Sequence, residues 1–207
     1  MSDEPTAALA APRTTRQPLT EAQIVAGYVG GAAPSSGPIV LVPSDPAWPE
    51  RFAREEARIR AALGRRVLAL EHTGSTSVPG LSAKPIIDIT MILDDVSDEA
   101  AYLTDLEAAG YRLTIRESEP EWYDHRVFKG PDTNINLHVF SAGCVELERM
   151  VGFRDWLRAH DDDRDLYEAT KRDLAGREWA YVQNYADAKT AVVEGIIARA
   201  GLPGPRQ

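Results

Sequence analysis

A single carboxylate inside an otherwise apolar run constrains this chain more than any other feature. Residues Pro85 to Leu93 are apolar except for Asp88 and Thr90, and Val67-Leu68-Ala69-Leu70 upstream reads as a second short buried strand. Between the two lies a small-residue loop, His72-Thr73-Gly74-Ser75-Thr76-Ser77-Val78-Pro79-Gly80-Leu81-Ser82-Ala83-Lys84. An ionised Asp in a buried strand costs several kcal/mol unless it is paired, hydrogen-bonded or bound to a metal. Asp88 is therefore the first functional candidate, and the fold must supply its partners.

The rest of the chain reads as an α+β protein. A helix over 21–28 is capped by Thr20 and Gln23, and Ile39-Val40-Leu41-Val42 predicts a strand. Trp48, Phe52, Ile59 and Leu63 share one face of a helix over 49–63. A helix over 98–109 and a strand over 111–117 follow. Residues 122–129 and 134–140 predict a hairpin across Gly130-Pro131-Asp132-Thr133. In the second strand Ile135, Leu137 and Val139 face one way, while Asn134, Asn136 and His138 face the other. The same alternation puts Arg126 on the opposite face from His125 and Lys129. From Val145 onward the pattern is helical, over 146–160, 163–181 and 187–200. Short connections favour a mixed sheet. The expected organisation is a mobile tail over 1–18, a short helix and loop over 19–37, a sheet domain over 38–144, a helical segment over 145–200 packed on it, and a tail over 201–207.

Charge and composition exclude several function classes. With 207 residues and 43% hydrophobic content the chain can bury a sizeable core. A net charge of −9 argues against nonspecific nucleic-acid or anionic-membrane binding, though not against a local basic pocket. Cys144, the single cysteine, excludes an internal disulfide and a cysteine zinc site, and no base near it in sequence marks it as a nucleophile. No apolar run approaches the roughly 20 residues of a membrane span, and the first residues carry no basic region followed by an apolar one. A cytoplasmic location is expected.

A strand, a Gly-Ser pair, about a dozen residues and then a strand carrying an Asp is the layout of polymerase-β-type nucleotidyltransferases. Gly74 and Ser75 let backbone and hydroxyl groups approach phosphate oxygens, and Asp88 can hold Mg²⁺ against them. The run from His72 to Ile89, together with Asp45-Pro46-Ala47-Trp48, Asn136-Leu137-His138-Val139-Phe140 and Tyr185-Ala186-Asp187-Ala188-Lys189, resembles the GrpB family over residues 38 to 200. That resemblance implies a polymerase-β-type nucleotidyltransferase fold, a mixed sheet flanked by helices with a helical C-terminal segment. The family occurs alone or joined to dephospho-coenzyme A kinase.

The chain departs from active polymerase-β-type enzymes, which place a second carboxylate two residues after the first and a third on a later strand. Here those positions hold Thr90, Asn136 and His138. The leading expectation is an enzyme that binds ATP or another nucleoside triphosphate with Mg²⁺ and transfers a nucleotidyl or phosphoryl group to a small polar acceptor. Ser75, Asp88 and His138 are the catalytic candidates, Asp88 and His138 the metal ligands. Gly74, Ser75, Thr76, Ser77, Lys84, Asn136, Lys171 and Lys189 are the phosphate or substrate candidates. The C-terminal helices of such a fold would close one side of the cleft. The expected partner is a small molecule bearing phosphate or carboxylate, not nucleic acid or membrane. A catalytically silent module binding a nucleotide, a coenzyme A fragment or a carboxylate metabolite is the alternative. His72 reads as a hydrogen-bonded core histidine, and Arg154 and Arg158 share a helical face at i, i+4.

Overall fold

The computed structural model describes residues 18–118 and 124–204. Most of the expected N-terminal tail, Trp122 and Tyr123 of the strand expected over 122–129, and residues 205–207 lie outside them. A five-stranded mixed sheet organises the molecule, with strands β1 (Ala69–Thr73), β2 (Ile87–Leu93), β3 (Arg112–Glu117), β4 (His125–Lys129) and β5 (Ile135–Ser141) in the order β1-β2-β5-β4-β3. Only β2 and β5 run parallel, and the three other pairs are antiparallel. The polar row on β5 meets the buried acid through this parallel pairing. Asp88 sits beside Asn136, and Thr90 beside His138.

Side-chain alternation gives the sheet two unlike faces. Ile87, Ile89, Met91, Ile135, Leu137 and Val139 project to one side, where helices α2 (Trp48–Leu63) and α3 (Leu103–Ala108) cover them. Each fully buried aliphatic side chain there contributes roughly 1.5–3 kcal/mol. Helix α2 starts where Asp45 accepts from the Ala47 amide at 2.9 Å and from Arg51 at 2.9 Å. Helix α1 (Glu21–Ala26) carries the expected capping box of Thr20 and Gln23.

The opposite face carries Asp88, Thr90, Asn136 and His138, and the C-terminal helices pack against it. Helix α4 (Glu146–Ala159) lies on β1 and β2. Helices α4, α5 (Asp161–Ala175) and α7 (Thr190–Arg199) enclose Val78 and Leu81 of the loop through Leu157, Tyr167 and Ile196. Ile39 packs on Leu174 of α5 and on Tyr185 of α6 (Val182–Asp187). Among the described residues no helix is long and apolar enough to cross a membrane.

Several local expectations are corrected. Residues 39–42 form no strand. Val42 makes one bridge to Ala83, and Pro43 has no amide with which to extend the ladder. β1 begins at Ala69 rather than Val67, because a 3₁₀ turn at Gly64–Arg66 uses up the preceding residues. The helix over 98–109 breaks at Tyr102, whose ring is buried and whose hydroxyl donates to the Val96 carbonyl at 2.7 Å. The helix after Asp161 ends at Gly176, and α6 precedes the last helix as a separate turn.

Candidate functional site

The loop after β1 turns sharply at Gly74, which has φ +66° and ψ −175°, a combination open essentially to glycine. A Cβ at that position would stand 2.4 Å from Asp88 Oδ2 and 2.9 Å from Asp88 Cβ, so the carboxylate rests directly on the glycine. Gly74→Ala is therefore expected to cost about 1–3 kcal/mol of backbone strain alone and to push Asp88 off its partners. Thermal melting should show a fall of roughly 2–4 °C per kcal/mol. An unshifted melting curve with ligand binding intact would contradict this.

The hydroxyls of the loop divide into two sets. Thr76 donates to the Ile86 carbonyl at 3.1 Å, so the 3.0 Å contact with His72 Nε2 must be donated by the histidine. Ser77 donates to the Gly74 carbonyl at 2.6 Å, and Arg158 of α4 donates to the Ser77 carbonyl at 2.7 Å. Thr76 and Ser77 thus spend their hydroxyls on holding the loop rather than facing a ligand. Ser75 is half-buried and lies close to the Tyr167 hydroxyl. His72 stacks on Phe52, and burial pushes its pKa down to about 4, so it is a neutral core histidine. Arg154 donates to the Glu71 carboxylate and the His72 carbonyl, so the Arg154 and Arg158 pair ties α4 to β1 and the turn.

Asp88 is the centre of the polar face, with 31% of its side chain exposed. Asn136 Nδ2 donates to its Oδ1 at 2.7 Å, and Lys129 Nζ in turn donates to Asn136 Oδ1. Asn136 is therefore the group that orients Asp88. Burial pushes the Asp88 carboxyl up, but the charge of His138, the Asn136 amide and Lys84 outweigh it and hold the group below the ordinary carboxylate value. His138 Nε2 stands 3.8 Å from Asp88 Oδ1, too far for a hydrogen bond. Two donors each about 2.1 Å from a shared cation lie at most about 4.2 Å apart, so the spacing fits such a pair.

Three amines share this one carboxylate. Lys84, Lys189 and Lys129 each lie within electrostatic reach of Asp88. Burial, with the mutual repulsion of Lys189, lowers Lys84 to about 8. Burial lowers Lys189 to about 8 against the pull of Asp88 and Asp187. Lys84 and Lys189 both lie over the Tyr185 ring, at 5.6 and 4.4 Å from its centroid. An acidic chain has thus gathered a local excess of positive charge at one point. Lys171 does not join it, because the residue is 2% exposed and its amine donates to the Ser82 carbonyl, tying α5 to the loop.

The position where a second carboxylate would stand is closed. Thr90 is fully buried, with its hydroxyl 2.9 Å from Thr73 Oγ1 and 3.1 Å from Met150 Sδ of α4. A carboxylate there would be stranded under the helix without a counter-charge. Among the described residues no group of three or more His, Cys, Asp or Glu could hold a metal ion. A cation would take Asp88 and His138 from the protein and its remaining ligands from a bound molecule and water.

The alternation in β4 correctly separates Arg126, which pairs with Glu99 at 2.6 Å on the α3 side, from His125 and Lys129. His125 Nε2 meets His138 Nδ1 at 3.1 Å, and His125 Nδ1 meets Glu117 Oε2 at 2.9 Å. Glu117 carries no signal in the sequence, because its place depends on β3 pairing with β4.

Comparison with known proteins agrees with this architecture. The chain is 55% identical to the UPF0157 protein BH1888 of Halalkalibacterium halodurans, over 88% of this chain and 93% of that one. It is 31% identical to a dephospho-CoA kinase of Mycolicibacterium paratuberculosis, over 73% of this chain but only 43% of that one. In structure it is similar to the conserved protein GrpB from Enterococcus faecalis, with a TM-score of 0.67, 29% identity, and coverage of 78% of this chain and 96% of that one. The fold is thus α+β and nucleotidyltransferase-like. The sequence model described as GrpB protein matches residues 38–199, and the chain belongs to the GrpB family.

Proposed function

We propose that the polar face binds a nucleoside triphosphate with one divalent cation and transfers its nucleotidyl or phosphoryl group to a small polar acceptor. The observation that carries this reading is the gathering of Lys84, Lys129 and Lys189 around the single carboxylate Asp88, beside the Gly74-Ser75 turn. Amines held in excess over acids, with their pKa values lowered by burial, gain most from a ligand bearing several negative charges. Asp88 and His138 would hold the cation, which would withdraw charge from the phosphate oxygens. An imidazole nitrogen in the ligand set favours Mn²⁺ or Zn²⁺ over Mg²⁺, which prefers oxygen donors.

Calorimetric titration of the full chain with ATP and other nucleoside triphosphates tests this, with Mg²⁺, with Mn²⁺ and without metal. Sub-millimolar binding, at least about tenfold tighter with Mn²⁺ than without metal, is expected. No binding at roughly millimolar nucleotide would refute the reading.

The burial of Thr90 under Met150 favours a second reading, a binding module without transfer, because conventional two-metal chemistry has no second carboxylate here. Coenzyme A fragments belong in the same titration, given the kinase relatives. Tight binding without pyrophosphate exchange or phosphoryl transfer would support the module.

A further inference from the structure

We propose that Arg112 and Lys129 form a second anion seat, which takes a carboxylate or phosphate group of the acceptor rather than the phosphates of the nucleotide. The acceptor is then itself an anion. Its place in a transfer rests on the reading under Proposed function, whereas the seat rests on strand register and charge.

One straight row crosses four strands on the polar face. Asp88 of β2 lies beside Asn136 of β5, the β4–β5 register places Lys129 next to Asn136, and Arg112 of β3 pairs directly with Lys129. Lys129 Nζ donates to Asn136 Oδ1, whereas Leu113, the next residue along β3, is packed in the core on the α2–α3 side. Alternation therefore turns Arg112 to the same face as Asp88. Neighbouring strands lie about 4.8 Å apart, so the Arg112 backbone stands roughly 14 Å from that of Asp88 along the row.

Two cations directly opposite each other on neighbouring strands repel. Arg112 and Lys129 stand so, and Lys84 acts on Lys129 as a third like charge. The chain has acids to spare, with 32 Asp and Glu against 23 Lys and Arg. Around the helical face it uses them, since Arg58 holds Asp132, and Glu99 holds both Arg116 and Arg126. Arg112 is exposed and is ion-paired with no carboxylate among the described residues. Lys129 spends one of its three N–H donors on Asn136 and keeps two. A planar guanidinium fork beside a two-donor ammonium matches the oxygens of a carboxylate or phosphate, and such a group removes the repulsion between them.

The row also sets this seat apart from the phosphate loop. Gly74 rests on Asp88, and Lys84 and Lys189 flank the Tyr185 ring, so the phosphates of a nucleotide belong at the other end of the row. In phosphoryl transfer the nucleophile enters opposite the leaving group. An acceptor therefore reaches the phosphates over Asn136, with its anionic end on Arg112 and Lys129. No bond is made or broken at the seat. It positions the acceptor and offsets the repulsion between the acceptor's charge and that of the phosphates.

The test titrates inorganic phosphate and succinate, with uncharged succinamide as the control, into the ¹⁵N-labelled full chain. The chain is used both free and saturated with a non-hydrolysable ATP analogue and Mg²⁺, and the amide resonances of β3 and β4 report binding. Phosphate and succinate are expected to shift them saturably in both states, with Kd of roughly 1–10 mM, and succinamide to shift none. Arg112→Gln should weaken both anions at least about tenfold while the Kd of the analogue stays within about twofold. Arg112→Glu should abolish anion binding and, by replacing a like-charge pair with an ion pair, raise the melting temperature by roughly 1–4 °C. Three results would each overturn the proposal: phosphate displacing the analogue mole for mole, anion affinity unmoved by Arg112→Gln, or a melting temperature lowered by Arg112→Glu. Failure of all nucleotides to bind would instead strike the function reading, while the Arg112 dependence of anion binding to the free chain still decides whether the seat exists.

Discussion

Asp88→Asn is expected to abolish the benefit that a divalent cation gives to nucleotide binding, while leaving or even strengthening the metal-free component. On the proposed reading the wild-type carboxylate does two opposed things. It offers a cation an anionic ligand beside His138 Nε2, and it partly neutralises Lys84, Lys129 and Lys189. Removing its charge deletes the first effect and frees the amines for phosphate. Truncating one partner of a buried, hydrogen-bonded charge pair typically costs about 2–5 kcal/mol, roughly thirtyfold to several thousandfold in metal-dependent affinity. An asparagine keeps the shape that rests on Gly74, so the fold should survive and the effect can be read as chemistry. The measurement is a pair of nucleotide titrations, with Mn²⁺ and with a chelator, on both proteins. Equal loss of affinity in both conditions would mean that Asp88 organises the loop and binds no cation.

The second large effect is a pH dependence carried by Lys84 and Lys189. Both amines sit near pKa 8 in the free protein, lowered chiefly by burial. A bound polyphosphate favours their charged forms and raises both values. Below about pH 8 the amines are already protonated, so affinity is full and flat. As pH rises through 8 they must take up protons on binding, and affinity falls by up to about tenfold per unit for each lysine. Calorimetry near pH 9 in buffers of different ionisation enthalpy should therefore register uptake of about one to two protons per nucleotide. Lys84→Met should halve that uptake. Affinity that stays level from about pH 7 to 10 would show that these amines do not meet the ligand. In the absence of ligand the same two groups act on folding with a definite sign. Their lowered values mean that the unfolded chain binds more protons between about 8 and 10.5, so stability rises with pH across that window.

The two effects separate the proposed readings further. A silent module would keep the lysine-borne pH dependence and lose nothing in turnover on Asp88→Asn, whereas a transferase would lose both cation dependence and activity together.

Local chemistry in the sequence was sufficient for the elements that position the site. A carboxylate that cannot be buried unpaired, a glycine beside a serine, and the alternation from Asn134 to Phe140 each carry their meaning within a few residues, because side-chain periodicity is a property of the strand itself. So Asn136 and His138 could be placed on one polar face of their strand before any strand was paired, and Arg126 on the face away from His125 and Lys129, whereas only the parallel pairing of β2 with β5 brought Asp88 into that row. What a donor or amine does with its hydrogens depends instead on what lies across from it. Thr76 and Ser77 look like ligand hydroxyls until Ile86 and Gly74 supply carbonyls within reach, and Lys171 looks like its neighbours until Ser82 takes its amine. Glu117 joined the row only through the β3–β4 register, and Thr90 was sealed only by Met150 arriving from a helix 60 residues away. Burial, charge excess and tautomer are sums over groups brought together from distant parts of the chain, and only the folded arrangement determines them.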